Sequence, residues 1–403
     1  HALPLSAELF DLCILDEATQ ADMASATPLF QRAKRALVIG DFKQLRHVSF
    51  LSRERQEALA HKAKLSPTQV SRLNYRERSV LDLCDDALET QSAIVGLDEH
   101  FRSVPPIIEF SNARFYNGAL RIMTQRPVAS EGALIVSSVS GTRQDSGENP
   151  DEATQLLVEL KKLVDSQKSL PDSECQSIGV LSPFRQQVEH LREMIEQELP
   201  RTTQLRHQIR VSTAHGFQGE ERDVMLLSWA LDDDSPAGSF TFLRREDVVN
   251  VAITRARHIQ HSFISFSPRN PRVPELLRDY FSSTPPPHAP SSKPSVQGDS
   301  FVLEIKEELE AMGATCHVSH PLAGMRVDLV AVKEKRVVGF DLVGFPGPFE
   351  ERFSLERFRI FYRAGLPIIP IAYSSWCVAP EQVRALLKES LGLEQPGAKA
   401  ETE

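Results

Sequence analysis

The pattern that cradles a nucleotide's phosphates, G-x-x-x-x-G-K-[ST], occurs nowhere in the 403 residues. That loop supplies a nest of backbone N–H groups and a lysine, so the chain is expected to hydrolyse no nucleotide unaided. No apolar run reaches membrane-spanning length and no signal peptide opens the chain. The five cysteines, Cys13, Cys84, Cys175, Cys316 and Cys377, include no pair at the close spacing of a zinc or iron–sulfur site. An odd, scattered set fits a reduced, cytoplasmic protein. Positive charge is in deficit too, with a formal net charge of -9, which excludes a uniformly basic coat. Any polyanion must be held in a local groove. Bulk disorder is excluded by 41% hydrophobic and 25% charged residues, and the length predicts two or three domains. The chain opens on His1 rather than Met and reads as a C-terminal part of something longer.

What is there begins at Leu12–Gln20, Leu-Cys-Ile-Leu-Asp-Glu-Ala-Thr-Gln. A short apolar run ending in two carboxylates predicts a fully buried parallel strand that delivers acids to its carboxyl end, the edge where α/β folds bind ligands. Asp16 can hold Mg2+ directly or through water, and Glu17 can orient or deprotonate a water for attack on a phosphoryl group. A helix over 21–33 interrupted by Pro28 follows, then a second buried strand over 36–39 ending in Gly40-Asp41-Phe42-Lys43-Gln44. Gln44 is placed to sense a γ-phosphate. An ordinary strand followed by an acidic helix start is the plainer reading of either motif alone.

Together these blocks resemble motifs II and III of superfamily 1 helicases, in the branch with the nonsense-mediated-decay RNA helicases and the Okazaki-fragment-processing DNA helicases. The resemblance continues in order. Leu97-Asp98-Glu99-His100-Phe101-Arg102-Ser103 resembles motif IV, and Ile178-Gly179-Val180-Leu181-Ser182-Pro183-Phe184-Arg185 the strand and turn of the next segment. Val211-Ser212-Thr213-Ala214-His215-Gly216-Phe217-Gln218-Gly219-Glu220-Glu221 resembles motif V, and Asn250-Val251-Ala252-Ile253-Thr254-Arg255-Ala256-Arg257 motif VI.

The resemblance implies ATP and Mg2+ as cofactors. It makes Arg102 and Arg255 the γ-phosphate contacts, Arg257 a helper, Gln218 and Gly219 part of the nucleotide site, and Glu221 the acceptor from the ribose. A guanidinium aimed at a transferring phosphoryl group accelerates such chemistry by powers of ten, although a surface salt bridge is the commoner fate of a single arginine. Thr213 and His215 would lie near a nucleic-acid backbone. Ser182 and Arg185, at a strand end before a helix, could hold one of its phosphates, capping and solvation being the alternative. One departure stands out: the family follows the motif III Gln with Leu-Pro-Pro, whereas here Leu45 leads into Arg46 and His47. That changes the loop near the strand or adds phosphate contacts.

Residues 51–90 read as charged helices connecting two motor domains, 131–139 as a strand, 141–150 as a polar loop, 152–164 as an amphipathic helix, and 231–239 as a surface loop. At 282–300 the composition turns to proline and serine, a linker. Beyond it an αββαβ pattern, with Asp328 and Asp341 on successive strands, resembles the restriction-endonuclease-like fold of very-short-patch-repair type. Glu304 is a third candidate acid. Val343 stands where that fold's active members place a lysine, and Lys333 or Lys335 could substitute. Asp341-Leu342-Val343-Gly344 keeps the glycine but not the second acid.

The fold class is therefore α/β: RecA-like motor domains, the first incomplete, then a small restriction-endonuclease-like domain. The expected divisions are 1–95, the end of the first motor domain; 96–281, the second; 282–300, the linker; 301–395, a degenerate nuclease-like domain; and 396–403, a tail. The function these imply is an ATP-dependent nucleic-acid helicase or translocase, with DNA favoured. Its partners would be single-stranded or duplex nucleic acid and a segment carrying the phosphate loop, with no membrane. The competitors are a nonenzymatic nucleic-acid-binding module with relic sites, and a helicase-linked metal-dependent nuclease.

Overall fold

The computed structural model describes residues 3–88, 93–122, 124, 132–282, 300–322, 325–343 and 355–393. Most of the expected linker, the tail, Gly344 and positions 350–354 lie outside these. In chain order the described strands are β1 (Cys13–Leu15), β2 (Ala36–Val38), β3 (Glu99–His100), β4 (Arg121–Ile122), β5 (Leu134–Ser138), β6 (Ile178–Leu181), β7 (Arg210–Ser212), β8 (Arg222–Asp232), β9 (Ala256–Ser265), β10 (Thr315–Leu322), β11 (Met325–Lys333), β12 (Arg336–Val343) and β13 (Ile368–Ala372). The chain divides into two compact units, one of residues 1–97, 135–256 and 260–282, the other of 98–134, 257–259 and 283–403. This grouping cuts through the 96–281 block marked out by sequence.

In the first unit a five-stranded sheet runs in the order β5-β9-β8-β6-β7, with β6 parallel to β7 and β8. Nine consecutive residues of β8, Val224–Asp232, are buried. Apolar residues on successive positions of a strand suit a sheet covered on both faces. The covering helices show the matching stripe: Ala153, Leu156, Leu157, Leu160 and Val164 on Pro150–Ser166, and Val188, Leu191 and Ile195 on Arg185–Glu198. Fully burying each such leucine, isoleucine or valine contributes about 1.5–3 kcal/mol. The sheet packs so closely that a Cβ at Gly179 would collide with Met225 Sδ, which is why that position of β6 has no side chain. This is the α/β arrangement with a parallel sheet expected of a RecA-like motor.

The β1–β2 pair belongs to the same unit and is parallel, Cys13 opposite Ala36 and Leu15 opposite Val38. The expectation that both strands are fully buried is not met: Ile14 is 60% and Leu37 48% exposed. Among the described residues the sheet here has two strands, so its apolar faces have little to lie against. Its carboxyl end is nevertheless anchored. Leu45, beyond motif III, is buried with Ala214, Val248 and Val251, and Phe242 packs against them. Within the described part of the 51–90 stretch the helices are Arg53–Lys62, Pro67–Arg72 and Val80–Ala87, with 89–90 outside the described residues. The 231–239 stretch is less of a loop than expected, because β8 runs on to Asp232, Ser235 is buried and a helix starts at Ala237.

The second unit contains a sheet of order β10-β11-β12-β13, antiparallel except for the parallel β12–β13 pair. The helix Ser300–Ala311 lays Phe301, Ile305 and Leu309 onto it. Phe101 packs beside Leu322, Val327 and Phe361, which ties the motif IV stretch into this unit. The αββαβ pattern was incomplete, since it lacked β10 and the helices Tyr373–Val378 and Pro380–Ser390.

Candidate functional site

Asp16 and Glu17 follow β1 directly. The Asp16 carboxylate is exposed, and its Oδ1 accepts from the Glu17 N–H at 2.8 Å. Glu17 sits at φ +52°, a left-handed conformation that costs an L-residue roughly 1–2 kcal/mol and recurs at functional sites. Ala18 and Thr19 are fully buried, and the Ala18 N–H donates to Ile39 O at 2.9 Å. The strained turn is thereby pinned to the end of β2. Gly40 comes close enough that a Cβ there would lie 3.0 Å from Leu81 Cδ2 and 3.3 Å from Ala18 N. Motifs II and III thus form one compact corner.

The Asp41 carboxylate organises motif III, its Oδ1 accepting from Lys43 N at 2.8 Å and its Oδ2 from Gln44 Nε2 at 3.1 Å. Asn250 Nδ2 donates to Lys43 O at 2.9 Å, so motif VI holds motif III from the other side. The Arg46-His47 departure has a structural use. Arg46 pairs with Asp82 at 2.8 Å and donates to Glu77 O, while the His47 ring lies edge-on to Tyr75 with Nε2 2.6 Å from Tyr75 O.

Motif V reaches the same corner. Gln218 Nε2 donates to Glu17 Oε2 at 2.8 Å, a contact between side chains 201 positions apart. The turn that presents Gln218 needs Gly219, whose φ is +74°. Glu221 is half-buried, and its carbonyl accepts from Arg222 Nη1. Thr213 is half-buried with its carbonyl accepting from Gly216 N, and His215 is exposed.

Arg255 is 2% exposed, its Nε donating to Val251 O at 3.1 Å and its Nη2 to Thr254 Oγ1 at 3.3 Å. In this conformation its guanidinium closes the end of its own helix, Glu246–Ile253, instead of lying open to solvent. Arg102 and Arg257 are half-buried and belong to the second unit. Ser182 is fully buried and its Oγ accepts from Phe184 N at 3.3 Å, a turn bond ahead of the helix Arg185–Glu198, whose N-terminus no side chain caps. Arg185 is solvated and pairs with Glu189 one turn on.

Mg2+ usually takes one or two carboxylates and keeps several waters. The exposed Asp16 carboxylate beside Glu17 fits that requirement. Among the described residues no group of three or more acids, histidines or cysteines is placed to hold a metal. The second-unit acids do not fit a metal centre. Asp341 is 3% exposed and doubly bonded by Arg357, at 2.7 Å to Oδ1 and 3.2 Å to Oδ2. Asp328 Oδ2 accepts from Leu342 N at 2.9 Å, and Glu304 accepts from Trp376 Nε1 at 2.7 Å. Lys333 donates to Met312 O at the end of helix Ser300–Ala311, so it does not substitute for the missing lysine.

Two residues carry roles that the sequence did not assign. One is Asn250, whose signal was an amide inside the apolar string Val-Val-Asn-Val-Ala. The other is Glu152, fully buried, its Oε2 accepting from Ser228 Oγ at 2.7 Å and Ala230 N at 2.8 Å. Burial pushes its carboxyl up to about 7. Its signal was an acid three residues after Asn149, which caps the helix through Oδ1.

Residues 77–261 match the family model described as an AAA domain. The chain is 27% identical over 280 residues to the DNA polymerase alpha-associated DNA helicase A of Saccharomyces cerevisiae, a match covering 62% of this chain and 37% of that protein. It is 26% identical to Helicase SEN1 of the same yeast, covering 62% of this chain and 11% of the relative. It is 24% identical to the DNA-binding protein SMUBP-2 of Mus musculus, covering 69% and 27%. The chain therefore spans between about a tenth and two fifths of these relatives. These likenesses support a superfamily 1 helicase reading of the motor region. The family model stops short of 301–395.

Proposed function

We propose that this chain is the rear part of an ATP-driven translocase or helicase that moves along nucleic acid, DNA being the favoured track. ATP is hydrolysed between two RecA-like domains, the first of them represented here by residues 1–95. The observation that carries the proposal is the Glu17–Gln218 hydrogen bond, which joins motif II to motif V in one corner with Gln44. When bound, Mg2+ and ATP supply the transferable phosphoryl group and the charge neutralisation it needs. Asp16 is the residue to hold the metal. Glu17 takes the proton of the attacking water, a role that contributes typically 10²–10⁴-fold. Gln218 holds that carboxylate in position, and Gln44, restrained by Asp41, reports the phosphate state to motif VI through the Lys43–Asn250 bond.

By the resemblance, Arg102, Arg255 and Arg257 complete the charge around the phosphates, Glu221 and Gly219 the nucleotide pocket, and Thr213, His215 and Arg185 the path of the strand. Arg255 must then leave its present helix-end bonds. The phosphate loop is supplied by another segment or partner, and the movement is 5′ to 3′. The free cysteines agree with a cytoplasmic setting. We read 301–395 as a degenerate nuclease-like domain, because Arg357 occupies the Asp341 carboxylate.

The test is ATP turnover by this chain alone and by the natural full-length product, each with and without single-stranded DNA. The proposal expects negligible turnover by the chain alone and strand-stimulated turnover by the full-length product. A full-length product that binds strand without turning over ATP would favour the nonenzymatic reading.

A further inference from the structure

Arg102 extends from a turn that is fixed on both sides, by two different parts of the sequence. On one side the Val104 N–H donates to Arg257 O at 2.9 Å, which joins motif IV to motif VI. Ser103 is fully buried, its N–H donating to His100 Nε2 at 2.9 Å and its carbonyl accepting from Thr124 Oγ1 at 2.5 Å. On the other side stands the half-buried Phe101. Among the described residues the strand before it, β3, pairs with β4 alone, two residues against two. Such a pairing is too small to be stable by itself. What covers Phe101 is sequence from beyond the expected linker: it packs against the buried cluster that includes Leu322, Val327, Val330, Ile360, Phe361 and Leu366.

The same seam carries charge. Glu99 Oε1 accepts from Arg121 Nη2 at 3.2 Å, and its Oε2 lies 3.9 Å from Nη1 of Arg363, on the helix Leu355–Arg363. Glu99, Glu356, Arg359, Ile360 and Arg363 line a polar cleft of ≈ 280 Å³ there. Exposed ion pairs of this kind contribute little, so the apolar seat of Phe101 is what holds the seam. All of these residues belong to one compact unit.

We propose that Phe101 is a positioning residue for Arg102. Seated in the 301–395 domain, it fixes the turn from which Arg102 reaches the phosphates, and so makes that domain a working part of the ATP site. The proposal rests on the reading of Arg102 as a phosphate contact. A misplacement of about 1 Å at such a group costs about a hundredfold in rate.

The experiment is steady-state ATP turnover by the natural full-length product with single-stranded DNA. Phe101→Ala should lower kcat about ten- to hundredfold while the KM for ATP stays within about twofold, because the contact acts in the transition state. Phe101→Leu, which refills the seat, should recover most of the rate. Ile360→Ala should lower kcat in the same way from the other side of the seam. Phe101→Val, which empties the seat less, carries the test if Phe101→Ala does not fold. The double variant with Arg102→Ala should be no slower than Arg102→Ala alone, since a residue that acts through another is not additive with it. The proposal is overturned if the Phe101 and Ile360 variants keep the parental kcat while Arg102→Ala is slow, or if the loss from Phe101→Ala adds in full to that from Arg102→Ala. If Arg102→Ala itself keeps the parental rate, the reading of Arg102 falls and the proposal falls with it.

Discussion

Two pairs of acids, one just past a strand and one within neighbouring strands, have opposite fates in this molecule. Asp16 and Glu17 project from a two-stranded sheet with solvent around them, and their immediate partners are an N–H group and a neutral amide. Asp328 and Asp341 lie on adjacent strands of a four-stranded sheet, and Asp341 is buried against a guanidinium. A carboxylate bonded by neutral donors keeps its charge available to a cation. One bonded twice by a buried arginine has already spent it. Acids at strands in sequence are thus candidates of equal standing until their partners are known.

The largest expected effect comes from breaking the buried pair. Arg357→Met removes both guanidinium bonds from the buried Asp341 carboxylate and should lower unfolding free energy by about 3–5 kcal/mol, measured by urea denaturation. Adding Asp341→Asn should recover most of the loss. If the single variant is as stable as the parent, Asp341 is not neutralised by Arg357 and its availability to a metal must be reopened.

Glu152 shows a third fate, burial relieved by a proton rather than an arginine. Its carboxyl rises from 4.5 to about 7 because burial disfavours the charged form. The folded chain then keeps a proton that the unfolded chain releases from about 4.5 upward. The stability from this group is therefore fully present below 4.5, is lost as pH rises, and is gone above about 7. The loss is up to about 3 kcal/mol. Urea midpoints across that window should fall for the parent and stay flatter for Glu152→Gln.

Smaller effects sharpen the view of the open corner. Gln218→Ala removes one half-exposed hydrogen bond and should cost about 1 kcal/mol of stability, again by urea denaturation. Arg185→Ala removes an exposed helix pair and should change stability by less than about 0.5 kcal/mol. If Arg185 touches a phosphate, the same variant reduces the salt slope of single-strand binding by about one. An unchanged slope removes it from the path.

The two regions also differ in how far they could be read in advance. The large sheet was legible where its signals are local, in the strands near β5 and β6 and the helical stripe over 152–164, but β8, its longest strand, was not read in advance. The corner at Asp16 was legible as an ordered set of motifs, but its partners were not. Gln218 and Asn250 meet it from more than two hundred positions away, and spacing says nothing about such contacts. The exposure of β1 was misread because an apolar run reports what a strand can bury, not whether neighbours cover it. β10 was missed because Thr315-Cys316-His317-Val318-Ser319-His320 lacks clean alternation, and Ser319 breaks the strand's regular backbone with φ +54°. Arg357, which decides the fate of Asp341, was one arginine among many on a charged helix.

Glu17 is proposed to act on a phosphoryl group. Its most direct test is steady-state ATP turnover by the natural full-length product, in the presence of single-stranded DNA, with Glu17→Gln against the parent. The substitution preserves shape and can still hydrogen-bond Gln218 while removing the base. Turnover should fall about 10²–10⁴-fold with strand binding retained. Turnover at the parental rate would contradict it.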